Sequence, residues 1–217
     1  MLTHERDIEY FGEYPAPIMQ AVQELHHTNI NSTISFFGPM MYFLLRDIGA
    51  EQVLEIGHAE GYTAHYLANA VKDNATRFGM KGNKYYGIDI VQTEKVRDAL
   101  LAKNLPVDIR NLDSMKLSKD TFPDVQFDVI FQDGCHDTEH VLQEFRTMWP
   151  QLKGEGKGYW IAHDVFGPSE DGMKKIKIML DEGAYRGEYL RIFSCYGLMI
   201  IRKMDGWDES KLHWVNP

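Results

Sequence analysis

Val53-Leu54-Glu55-Ile56-Gly57 is a short apolar run that stops at a glycine, and within four residues the hydrophobic period changes. From Gly61 to Val71 the apolar side chains Ala64, Leu67, Ala68 and Val71 fall at i, i+3, i+4 and i+7, one face of a helix. A buried strand running straight into an amphipathic helix needs a sheet to belong to and a second layer to cover it. The same change of period recurs down the chain. Strands are expected at Tyr85–Ile90, Val107–Leu112, Phe127–Gln132, Gly158–Ala162, Leu190–Ser194 and Gly197–Arg202. Helices are expected after Thr93, which serves as a cap, through Val141–Leu152, and through Met173–Leu180 with a stop at Gly183. Buried runs separated by helices make a parallel sheet with helices on both faces. The last two runs have no helix between them and imply an antiparallel hairpin at the C-terminal edge. Before Val53, helices at Ile18–Leu25 and Pro39–Ile48 flank a polar stretch, Thr28–Ser35, expected to be a loop beside the site.

At 217 residues the chain is long enough for one domain with a full core. Residues 1–50 read as a helical cap belonging to that domain, 51–204 as its core and 205–217 as a tail. The net charge of −9 and the lack of a Lys/Arg cluster argue against nucleic acid or an anionic membrane as partner. Two cysteines, Cys135 and Cys195, cannot build a disulfide framework. Met1 to Tyr14 lacks the apolar core of a signal peptide, and Phe36–Ile48 is too short and too broken to span a bilayer. The expectation is a soluble, cytoplasmic protein.

In open α/β sheets ligands bind beyond the carboxyl ends of the strands. The turn Glu55-Ile56-Gly57-His58-Ala59-Glu60-Gly61 lies at such an end, with Gly57 for the sharp bend and Gly61 for close approach to a ligand. It is neither the dinucleotide fingerprint, since position 59 is alanine, nor a P-loop, since no Gly-Lys-Ser/Thr follows. Glu55 suits a ligand with a positive end, although a plain strand-end carboxylate would look the same. Asp89 ends the second strand and has lone pairs for two ribose hydroxyls, and Asp113-Ser114 follows the third strand, placed for an adenine edge. His58 joins the cofactor-binding candidates by position, while its ring and that of His65 are expected to pack.

The fourth strand runs into Asp133-Gly134-Cys135-His136-Asp137, and the fifth into His163-Asp164. Asp133, His136, His163 and Asp164 can therefore converge across one crevice. Such a set holds a divalent ion or forms a metal-free site in which His136 or His163 takes a hydroxyl proton. Asp137 or Thr138 is placed to cap the next helix, and Cys135 lacks the partners of a nucleophile.

From Phe36 to Lys203, on the strength of Val53–Thr63, Asp89, Asp113-Ser114 and the strand at Phe127, the chain resembles class I S-adenosylmethionine (SAM)-dependent methyltransferases. Asp-Gly-x-His and the His-Asp pair are similar to small-molecule O-methyltransferases of the catechol type and those acting on natural-product sugars. The resemblance implies a Rossmann-like seven-stranded, mostly parallel sheet. It implies that the Gly57–Gly61 backbone lies along the methionine moiety, that Asp89 holds the ribose and that Glu55 orients the loop, with Asp133 beside the cofactor. It puts a divalent ion, Mg2+ or a softer one, on Asp133, His163 and Asp164, where His163 replaces an oxygen ligand. Asp133, His136 and Asp164 become the catalytic candidates, His136 as base. The acceptor is a small-molecule hydroxyl, its selection expected from Ser32, Thr33, Ser35, Phe36 and the Phe166-Gly167-Pro168 loop; Tyr185, Tyr189 and Tyr196 are candidates to line a pocket, with core packing expected for at least one. Met40–Leu45 is an apolar segment through which a homodimer could form. Two rival readings remain: an α/β oxidoreductase binding a nicotinamide cofactor at the same loop, and a non-catalytic adenosyl-cofactor-binding module.

Overall fold

Strand residues alternate between two faces, and this chain fills both with apolar side chains. The computed structural model describes residues 34–192 and 197–205. Its elements, in chain order, are α1 (Ile34–Ile48), β1 (Gln52–Ile56), α2 (Tyr62–Phe78), β2 (Lys84–Asp89), α3 (Thr93–Ala102) and β3 (Val107–Asn111). There follow β4 (Val129–Gln132), α4 (Thr138–Met148), β5 (Tyr159–His163), α5 (Glu170–Asp181), β6 (Gly187–Ile192) and β7 (Leu198–Lys203), with short 3-10 turns at Ser114–Lys116 and Trp149–Gln151. The seven strands form one sheet in the order β3-β2-β1-β4-β5-β7-β6. β1 to β5 pair in parallel, whereas β7 runs antiparallel to both β5 and β6.

Val53, Tyr85, Val129, Phe131 and Ile161 project to one face, where Ala64, Leu67 and Val71 of α2, Met41 and Leu45 of α1, and Val96 and Leu100 of α3 cover them. Leu54, Ile56, Ile88, Ile130 and Trp160 project to the other, beneath Leu142 and Phe145 of α4 and Ile176 and Met179 of α5. The chain leaves β1 for β2 and β3 on one side and then returns to β4 on the other. That reversal opens a crevice at the carboxyl ends of β1 and β4. At the opposite end Asp128 fixes the start of β1: one carboxylate oxygen accepts from the backbone N–H groups of Glu51 and Gln52, and the other pairs with Lys153 at 2.7 Å.

Several boundaries differ from the sequence expectation. α1 begins at Ile34 and carries Pro39 inside it, so Ile34 and Ser35 are helical rather than loop. A proline in the second turn removes one hydrogen bond, and burial of Met41 and Leu45 outweighs that loss. Gly38 is needed there, because a Cβ would stand 2.4 Å from the Tyr66 ring. α2 runs on past Val71 to Phe78, and Gln92 rather than Thr93 is the N-cap of α3. Phe127 bridges to Leu152 before β4 begins at Val129. α4 gives way to a 3-10 turn at Trp149, because Pro150 has no N–H to continue the ladder. β6 begins at Gly187, earlier than the apolar run suggests, and its solvent-facing partners hide it from a hydrophobicity reading. Within Met40–Leu45, Met41, Tyr42 and Leu45 are buried in the chain's own core, leaving Phe43 as the exposed aromatic. The expected helix at Ile18–Leu25, together with Ser32, Thr33, Cys195 and Tyr196, lies outside the described residues.

Candidate active site

Gly57 leaves β1 with a φ of +87°, and a Cβ there would meet the Asp133 carbonyl oxygen at 2.4 Å and Gly134 Cα at 2.4 Å. The glycine thus allows the β1 loop to lie directly on the tip of β4. Gly61, at φ +85°, makes room for the Val96 side chain of α3. A side chain there would collide with that packed helix. Asp89 ties β2 to the same loop, accepting from Ala59 N–H at 2.8 Å on one oxygen and from Val91 N–H at 3.0 Å on the other. A carboxylate oxygen has two lone pairs, so each keeps one for a further donor.

Glu55 is 1% exposed and accepts from the Tyr85 hydroxyl, on the α2 face of the sheet, rather than from the loop it was expected to orient. Burial, with the charges of Asp133 and Asp89 behind it, pushes Glu55 well above the ordinary carboxylate range. Burial likewise pushes up the Tyr85 hydroxyl, helped by Glu55. The His58 ring is buried. Its Nδ1 donates to the Ala59 carbonyl at 3.1 Å, and burial lowers its pKa. His65 is also buried, donating from Nδ1 to the Gly61 carbonyl at 2.8 Å. Asp113 caps the 3-10 turn by accepting from Met115 N–H at 3.0 Å, and Ser114 bonds to Glu144.

The tips of β4 and β5 carry two imidazole–carboxylate pairs. His163 Nδ1 donates to Asp133 Oδ1 at 3.0 Å and lies 3.4 Å from Asp164 Oδ1. His136 Nε2 donates to Asp164 Oδ2 at 2.9 Å, and its Nδ1 faces the Ser169 hydroxyl at 3.2 Å. Asp164 sits at φ +59°, a left-handed conformation that costs a non-glycine residue on the order of 1–3 kcal/mol and clusters at functional sites. Its carbonyl accepts from the N–H groups of Gly167 and Ser169, which holds the turn.

The charges follow the contacts. The Asp164 hydrogen bond raises His136 above the ordinary histidine value against the opposing effect of burial. Burial is the largest influence on His163 and works to lower it, yet the Asp133 hydrogen bond and the two carboxylates outweigh it, and the net direction is up. Burial also dominates Asp133 and carries it upward despite His163. On Asp164 burial is outweighed by the two imidazoles, and the group is lowered. His163 Nε2 is buried without a hydrogen-bond partner among the described residues, and the Phe37 ring of α1 stands edge-on to it at 4.8 Å.

The structure therefore brings Asp133, His136, His163 and Asp164 together. Ligand atoms of Asp133, His136 and Asp164 lie within 4.8 Å of one another. His163, the third member of the expected metal set with Asp133 and Asp164, touches both carboxylates through Nδ1, at 3.0 Å and 3.4 Å. Sequence reading missed Ser169, the buried residue that fixes the His136 ring, although it follows the Phe166-Gly167-Pro168 loop directly. It also missed Phe37 and Tyr85, which look like core aromatics in sequence. Tyr185 is packed against Phe145 and Trp149, the core fate expected for at least one of the three tyrosines, while Tyr189 donates to Asp181 on the surface.

A family model described as a methyltransferase domain matches residues 54–165, which span β1 through the turn after β5. No curated protein matches the chain. Among solved structures, the SAH-bound Podospora anserina methyltransferase PaMTH1 is similar at a TM-score of 0.69 and 18% identity, covering 88% of this chain and 89% of that one. The O-methyltransferase TomG from Streptomyces achromogenes, in complex with SAM, aligns at a TM-score of 0.65 and 15% identity over 90% and 93% of the two chains. An O-methyltransferase from Bacillus cereus in complex with SAH aligns at 0.64 and 17% identity over 88% and 93%. At these identities the likeness is one of fold.

Proposed function

This chain belongs to the methyltransferase domain family, and from that premise we propose that it transfers the methyl group of SAM to an oxygen of a small molecule. The observation that carries the reading is the pairing of two imidazoles with two carboxylates at the tips of β4 and β5, one turn from the Gly57 loop. Support for the cofactor comes from Asp89, whose two oxygens each keep a lone pair for vicinal hydroxyls at the end of β2. SAM, when bound, supplies the methyl group on a sulfonium, a good leaving group. The protein has to hold the acceptor hydroxyl in line and receive its proton.

His136 and His163 are the two groups that can receive it. A carboxylate only accepts, so each imidazole spends one N–H on its Asp partner and has one nitrogen left. On His163 that nitrogen is the unpartnered Nε2, whereas on His136 it is Nδ1, which must first release Ser169. Asp133, His136 and Asp164 fit a divalent ion of borderline softness better than Mg2+, because one of the three donors is nitrogen. Such an ion lowers the pKa of a hydroxyl bound to it.

Residues 51–204 would form the catalytic core, 1–50 a cap of the same domain and 205–217 a tail. Among the described residues no helix is long and apolar enough to cross a membrane. Acidic charge favours a small-molecule partner over nucleic acid. A homodimer on α1 would have to use Phe43, since Met41 and Leu45 are buried.

Calorimetry with S-adenosylhomocysteine tests the cofactor half without knowledge of the acceptor. Wild-type protein should bind, and Asp89→Ala should lose at least a hundredfold in affinity. Wild-type affinity in that variant, or preference for a nicotinamide dinucleotide, would overturn the reading.

A further inference from the structure

Beside the proposed methyl-transfer site, the loop after β4 and the first turn of α4 carry a second group of donors. Cys135, Asp137 and His140 place a sulfur, a carboxylate oxygen and an imidazole nitrogen within 4.8 Å of one another. We propose that these three residues form a separate binding site for a thiophilic divalent ion of the Zn2+ class, built from residues outside the methyl-transfer cluster.

The spacing has a structural cause. Asp137 is the N-cap of α4 and His140 lies three residues on, so the two share one side of the first turn. Cys135 precedes them on the loop and points to the same side. An N-cap aspartate normally accepts from the N–H groups of the first turn, but the Asp137 carboxylate makes no such bond. It stands free beside a free, exposed thiol.

The donor set also selects the ion. Thiolate and imidazole suit Zn2+, Co2+ and Cu+, and exclude Mg2+ and Ca2+, which take oxygen. Ligand lengths of about 2.0–2.3 Å put tetrahedral donors roughly 3.3–3.6 Å apart. Donors already within 4.8 Å reach that by side-chain rotation of about 1 Å, with no backbone change. A thiolate and a carboxylate neutralise the ion, and three protein ligands leave a fourth position for water. The Asp133–His136–Asp164 group contains no sulfur, so only the Cys135 site can give a thiolate-to-metal charge-transfer signal. An ion on Cys135 and His140 would clamp the loop that bears Asp133 and His136 onto α4.

Cobalt reports the site directly. Anaerobic titration of the full chain with Co2+ should give a saturable sulfur-to-cobalt charge-transfer band with tetrahedral visible absorption, its amplitude that of one thiolate-bound ion per chain. Cys135→Ser should abolish the band, and His140→Gln should weaken binding at least tenfold. Cys195→Ser and Asp164→Asn should leave it intact, which separates the site from the other cysteine and from the methyl-transfer cluster. Zn2+ should displace the cobalt, and in the Asp164→Asn background it should raise the thermal midpoint when Cys135 is present but not when Cys135→Ser is added. Absence of the band, or its survival in Cys135→Ser, overturns the proposal. Because SAH binding is measured separately, either proposal can fail without the other.

Discussion

Replacing Gly57 by alanine isolates the contact on which the site's geometry depends. At φ +87° an L-residue pays about 1–2 kcal/mol for the left-handed conformation alone. The new methyl would also stand 2.4 Å from the Asp133 carbonyl oxygen and 2.4 Å from Gly134 Cα, where ordinary contact begins at 3.4 Å. Both neighbours are backbone, so no rotamer relieves the clash. The β1 loop and the β4 tip have to part by roughly 1 Å, and overpacking of that order costs about 1–3 kcal/mol. Parting them also strains the Asp133 N–H to Ile56 carbonyl bond, 2.9 Å long. The expected loss is about 3 kcal/mol, or roughly 6–12 °C in thermal midpoint for a chain of this size. Gly79→Ala is the matched control: its φ is +65°, yet a Cβ there meets nothing within 4 Å, so it should lose only about 1–2 kcal/mol of backbone strain. Urea unfolding of both variants, with SAH calorimetry on the folded protein, gives the comparison. Equal losses in the two variants would refute the packing argument.

Glu55 carries a second expectation, in pH. Its folded pKa is raised, so the folded state holds a proton the unfolded chain gives up, and stability from this group is full only below the unfolded value. It declines as pH climbs from there toward the folded value. Wild type should therefore lose stability relative to Glu55→Gln between pH 5 and pH 8 in urea titrations; a constant gap between the two would contradict a buried neutral carboxyl. His136 gives a third. Held by Asp164, it should titrate above an ordinary histidine in NMR and fall back toward that value in Asp164→Asn, where asparagine also tolerates the left-handed backbone. An unchanged His136 titration would mean that the 2.9 Å pairing does not exist in solution.

The sheet was legible because its strands are short, apolar and separated by helices of clear period, so alternation alone placed β1, β2, β4 and β5 within two residues. The tips were legible too, since Gly57, Asp89, Asp133 and His163-Asp164 all end such runs. What a linear reading lacks is the partner across space. Glu55 looks like a loop-orienting acid until Tyr85, thirty residues away, is found bonded to it. Nor does the sequence show that Val96, thirty-five residues on, fills the side of Gly61 where a Cβ would stand. His136 and His163 are equivalent by motif, and only Ser169 against one and Phe37 against the other distinguish them.

The Phe37 ring against His163 joins two parts of the chain that homologous enzymes could otherwise vary separately. A helix that arrives ahead of the sheet forms one wall around the buried His163 imidazole. Mutations that remodel this leading helix to admit a new acceptor would also shift how that ring sits. Altered substrate choice and altered turnover should therefore be inherited together in this lineage, and directed evolution at α1 should yield them as one trait.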